Sequence, residues 1–185
     1  MKGFSFWMAA TSLLISFPAL SECNKENWNG LLNLQMRTED QYNQYSEEFN
    51  QILATYDSQL LFSKRYSEYQ LVELWSKDDP KFTKRLKQHM ASAYQASSLL
   101  LKQAYLSKME LVSAQGLTES WQSMHDACSE INLSKQSHNA QLHFISSKSL
   151  ALDFEALFKK TRKLAEKYQS EAETLNNTRK RAAPY

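Results

Sequence analysis

The sequence predicts an all-α fold: an elongated antiparallel up-and-down helical bundle of three long helices, with a short N-terminal helix folded back and tethered by a disulfide. Three observations predict it. Only three glycines and three prolines occur in 185 residues, too few for the many tight corners of a β or α/β fold. Apolar residues recur at steps of three and four along most of the chain, the spacing of one helix face. Two cysteines, Cys23 and Cys128, form an even pair behind what reads as an export leader, which is the setting for one disulfide.

Residues 1–21 have the three parts of a cleaved signal peptide: Lys2, an apolar stretch from Phe4 to Phe17, then Pro18 and a short polar exit. Ala19 and Ser21 supply the small residues of a cleavage site after Ser21. The apolar stretch is about 14 residues, short of the roughly 20 a spanning helix needs. Glu22 occupies the place where a small residue would precede a lipidated cysteine. A periplasmic or secreted location follows as an expectation, with residues 22–178 forming one helical domain and 179–185 a basic tail.

Tyr42, Tyr45, Phe49, Ile52 and Tyr56 mark one helix face, continued less strictly through Leu60, Phe62, Tyr66, Tyr69, Val72 and Trp75. This helix is expected to end near Lys77. Asp79 can accept from the free amides of a new helix, and Pro80 suits its first position because the missing N–H had no partner to lose. The second helix carries Phe82, Leu86, Met90, Ala93, Leu100, Ala104 and Leu111. Gly116 is expected to end it, with Thr118 as the next N-cap. The third stripe is the most regular: Trp121, Met124, Cys128, Ile131, Lys135, His138, Leu142, Ile145, Ser149, Leu152 and Ala156, then Leu164, Tyr168, Ala172 and Leu175. Its polar part, residues 132–139, predicts a kink, a short loop or a local defect.

The disulfide bears on residues 24–77. With corners at Asp79 and Gly116, a first helix running straight back would leave Cys23 roughly 45 Å from Cys128 along the bundle axis at 1.5 Å per residue, whereas bonded cysteines need Cα atoms about 6 Å apart. A reversal at Arg37 and Thr38 removes the conflict, and Thr38 with Gln41 is a capping-box pattern. The expected result is a short first helix with Trp28, Leu31, Leu32 and Leu34.

The formal net charge is +2, which argues against nucleic acid as a partner. The scarcity of glycine rules out a glycine-rich phosphate cradle, a dinucleotide fingerprint and a GxSxG elbow. His89, His125, His138 and His143 make no metal motif, and no serine stands at a strained turn beside a histidine, so no catalytic residue, cofactor or metal is expected. Asn132-Leu-Ser and Asn176-Asn-Thr match the glycosylation acceptor pattern, and Arg179 to Arg181 resembles a dibasic processing signal, but neither is specific.

What remains is protein binding. Tyr42, Tyr45, Tyr66, Tyr69 and Trp75 share the first helical stretch, and Tyr and Trp are typical interface anchors, although their plainer role is core and core rim. Residues 22–79 hold five basic and eleven acidic side chains, whereas residues 159–181 hold eight basic, including Lys159, Lys160, Arg162 and Lys163, and three acidic. This asymmetry either draws the helices together or offers a basic end to an acidic protein or an anionic membrane surface. The expected function is an exported non-enzymatic protein acting by protein–protein interaction: an accessory or minor-pilin-like component of a bacterial envelope or secretion apparatus, or a periplasmic chaperone. The alternatives are a secreted effector or inhibitor, and a carrier of a small apolar ligand held by Met90, Leu100, Met109, Trp121 and Met124.

Overall fold

A computed structural model describes residues 22–77 and 79–183; the expected leader and the cleavage site lie outside the described residues. The chain folds into α1 (Lys25–Ser58), α2 (Phe62–Arg65), α3 (Glu68–Ser76), α4 (Pro80–Glu130) and α5 (Ser134–Ala182). α1 to α3 form one arm, α4 returns alongside it, and α5 runs back against α4. The fold is therefore a helical bundle, and the Cys23–Cys128 disulfide tethers its N-terminal end, with Cα atoms 4.9 Å apart.

The corner at Asp79 and Pro80 is as the sequence predicts. The Asp79 carboxylate accepts from the amides of Lys81 and Phe82, and Pro80 takes the first helical position. The other two expected corners are corrected. α4 passes through Gly116 without a break, and Thr118, instead of capping, donates its hydroxyl to the Ala114 carbonyl at 2.8 Å inside the helix. The chain reverses at Ile131 to Leu133 instead, where Asn132 takes φ 61°, a left-handed conformation that asparagine tolerates better than most residues. Of the outcomes expected for the polar stretch after Ile131, the short loop is the one observed.

Moving the corner from Gly116 to Asn132 removes the reason for a turn near Thr38. Cys128 now lies about 72 Å along α4 from Pro80, level with the start of the first arm. α1 is accordingly unbroken at Arg37 and Thr38, and the short folded-back helix does not exist. Thr38 Oγ1 donates to the Leu34 carbonyl at 2.8 Å, the back-bonding typical of a threonine within a helix.

The first arm is nevertheless divided, at Gln59–Leu61 and at Tyr66–Ser67. The second break carries the real capping box: the Ser67 side chain accepts from the Gln70 amide, and the Gln70 side chain accepts from the Ser67 amide at 2.9 Å. At its far end α5 continues through Arg179, Lys180 and Arg181 to Ala182, so the expected basic tail is mostly helix.

The core follows the rod in successive clusters. Leu31, Leu117, Trp121, Met124 and Ala140 surround the disulfide. Ala114, Ala151 and Phe154 follow, then Phe49, Tyr56, Leu100, Leu157 and Leu164. Leu71, Trp75, Leu86 and Leu175 close the Pro80 end. Where α4 and α5 meet, many buried residues are small: Ala93, Ser97, Ala104, Ser107, Ala114, Ala140, Ser147, Ala151 and Thr161.

Gly116 is a mid-helix residue with open space where a Cβ would stand and no left-handed φ. Gly116→Ala should therefore stabilise the protein by about 0.5–1 kcal/mol, the helix-propensity difference, read as a rise of roughly 1–4 °C in the melting temperature.

Candidate functional site

The expected aromatic face divides between core and surface. Trp75 is buried, and its indole N–H donates to Thr178 Oγ1 at 3.2 Å. Tyr42 is half-buried edge-on to Phe154 at 5.3 Å, and Tyr45 packs beside it. Burial, then the nearby charges of Glu110 and Glu48, push the Tyr45 phenol above its usual range against a lowering hydrogen bond from Gln41. Tyr66 stacks on Phe62 with the Arg65 guanidinium over its ring. Only Tyr69 stands in solvent, at 79% exposure.

Lys159, Lys160, Arg162 and Lys163 are all exposed. Lys159 pairs with Glu155 and Arg162 with Glu166 on the same helix. Among the described residues one ion pair joins α5 to the first arm, Arg181 to Glu68 at 3.0 Å. The acidic and basic segments are thus scarcely joined by direct pairs.

The five residues proposed to hold an apolar ligand do not come together. Met90 and Leu100 pack in the half of the rod nearer Pro80, Trp121 and Met124 lie beside the disulfide, and Met109 is half exposed.

Two polar clusters escaped the sequence reading. His143 stacks on Trp121 at 4.4 Å and meets Trp28 edge-on at 6.0 Å. Its Nδ1–H donates to Gln35 Oε1 at 3.1 Å, and Gln35 Nε2 donates to Glu39 at 2.9 Å. Burial lowers the imidazole below its usual range, with the Glu39 charge opposing.

The second cluster centres on Glu171, a carboxylate only 1% exposed. It accepts from the amides of Phe62 and Ser63 at 2.8 and 3.1 Å and from the Ser63 hydroxyl, while His89 Nε2 lies 2.9 Å away. Serine and histidine both address the carboxylate and not each other, so this is a structural clasp. Glu171 lies three residues after Tyr168 and four before Leu175, within the core stripe of α5. That spacing was the available signal.

The most informative correction concerns the regular stripe itself. On α5, Lys135, His138, Leu142, Ile145, Ser149, Leu152 and Ala156 all face solvent, with Leu142, Ile145 and Leu152 at 53, 55 and 59% exposure. The core is instead served by Ser137, Ala140, Ser147, Ala151 and Phe154. α4 has an outward apolar stripe as well, formed by Tyr94, Leu101, Tyr105, Met109 and Val112. Both stripes align large apolar side chains at helical spacing on an outer face that the bundle's own core does not use. No family model, no curated protein and no solved structure matches this chain.

Proposed function

We propose that this protein is exported and acts without catalysis, by binding other proteins along its outer helix faces, as an accessory component of a bacterial envelope or secretion apparatus or as a periplasmic chaperone. The observation that carries the reading is the outward stripe Leu142, Ile145 and Leu152: three large aliphatic side chains, one above another, that the bundle does not use for its own core. The disulfide supports an oxidising compartment. The described residues contain no helix long and apolar enough to cross a membrane.

The test is a photo-crosslinker at Ile145 or Leu152 in the native host, compared with the same probe in a Leu142→Glu background. Adducts that disappear with Leu142→Glu, together with thiols at Cys23 and Cys128 that resist alkylation until reduced, are the expected result. No stripe-dependent adduct under several growth conditions, or freely alkylated cysteines in the native host, would overturn the reading.

A further inference from the structure

We propose that the α5 stripe pairs with the same stripe of a second copy, in parallel, as a short two-stranded coiled coil; this rests on the surface-recognition reading above and names its partner. The stripe steps through His138, Leu142, Ile145, Ser149, Leu152 and Ala156 at alternating intervals of four and three, the seam of a coiled coil. With Leu142, Ser149 and Ala156 at a positions and Ile145 and Leu152 at d, the flanking g positions are Lys148 and Glu155, and the e positions are Asp153 and Lys160.

Charge selects the orientation. In a parallel pair each g residue meets the e residue five places further along the partner. Lys148 then faces Asp153 of the other copy and Glu155 faces Lys160, and symmetry doubles both. Among the described residues Lys148, Asp153 and Lys160 form no ion pair within the chain, whereas Glu155 pairs with Lys159 on its own helix. The Lys148–Asp153 pair is therefore free to form, and Glu155 would share its carboxylate between Lys159 and the second copy's Lys160. The apolar layers match as well: Leu142, Ile145 and Leu152 each meet their own counterpart.

The antiparallel registers are worse. Setting Leu142 opposite Leu152 brings Lys148 of each copy together. Shifting by one layer to pair Lys148 with Glu155 places Lys159 against Leu142. Lys135 at one end and Lys159 and Lys163 at the other would fall on the seam, which confines the contact to the segment between them. A contact of this length lies in the small-interface class, so the dimer should be weak and its population should depend on protein concentration.

Sedimentation equilibrium of the purified, disulfide-bonded protein tests this. The wild type should form a dimer with concentration. Lys148→Glu should weaken it about tenfold, because two attractive pairs become repulsive, and adding Asp153→Lys should restore it to within about twofold. Adding Glu155→Lys instead should weaken it further. A monomer at all concentrations overturns self-association. If stripe-dependent crosslinks to other proteins persist in that case, the surface reading survives with a different partner. Rescue by Glu155→Lys but not by Asp153→Lys overturns the parallel arrangement. Lys148 and Asp153 are exposed and Glu155 is only partly covered, so the variants should fold, and unchanged helical circular dichroism confirms that a lost dimer is not lost structure.

Discussion

A chain carrying Cys23→Ser and Cys128→Ser should lose about 3–5 kcal/mol of stability, the loop-closure contribution of a cross-link between residues 105 apart. For a protein of this size that corresponds to a fall of roughly 6–20 °C in the melting temperature. The loss should also be uneven. The bond fastens Cys23, two residues before α1, to the last turn of α4, and Trp28, Leu31 and Leu32 pack beside it against Trp121. Without it, the entry to α1 is held by those contacts alone. Hydrogen exchange should therefore rise most in the first turns of α1 and least around Leu157 and Leu164. A loss below about 1 kcal/mol would mean that the Trp28–Trp121–His143 stack already fixes this end.

The disulfide also shows how far the sequence could be read. Its pairing, the helical class, and the corner at Asp79 and Pro80 were all legible, because each rests on a residue type with few alternative uses. Gly116 and Thr38 misled for the opposite reason. A glycine can end a helix or sit within a long one whose neighbours hold it in place, and Thr-x-x-Gln matches a capping box whether or not the chain turns there. Ser67-x-x-Gln70 has the same pattern and does cap a helix. What separates the two is tertiary: Glu171 holds the start of α2 through Phe62 and Ser63, so the arm is already broken before it reaches Ser67, whereas Thr38 lies in an uninterrupted helix.

The core face of α5 was hidden by size. Hydrophobic pattern favours Leu142, Ile145 and Leu152, but the helix packs on α4 through Ala140, Ser147 and Ala151, whose short side chains let the two backbones approach. A packed core needs volume that fits more than it needs maximal hydrophobicity. Leu150, Phe154 and Leu157 fill the core beside these small residues while Leu142, Ile145 and Leu152 are left outside, so the residues that misled about the core are the ones that argue for an interface.

Glu171 provides the other large expected effect. Glu171→Ala should cost about 3–4 kcal/mol, because it removes a buried acceptor and leaves the amides of Phe62 and Ser63 and the His89 imidazole without their partner. Glu171→Gln keeps one accepting oxygen and should cost less, about 1–2 kcal/mol. The weakened clasp should loosen α2, so trypsin should cut after Lys64 or Arg65 faster in Glu171→Ala than in the wild type. The pH dependence has a definite sign. Burial pushes the Glu171 carboxyl up, but hydrogen bonds from His89, from the Ser63 hydroxyl and amide, and from the Phe62 amide outweigh it and hold the group below its ordinary range. A carboxylate depressed in the folded state contributes stability that is fully present above the ordinary carboxylate range and is lost as pH falls through the folded value. Many exposed carboxylates protonate over the same interval, so the readout is the difference between wild type and Glu171→Gln in urea unfolding. Below the ordinary histidine range that difference should hold down to the ordinary carboxylate range and shrink below it. A gap that stays constant into strong acid would show that Glu171 holds α2 by its shape and not by its charge.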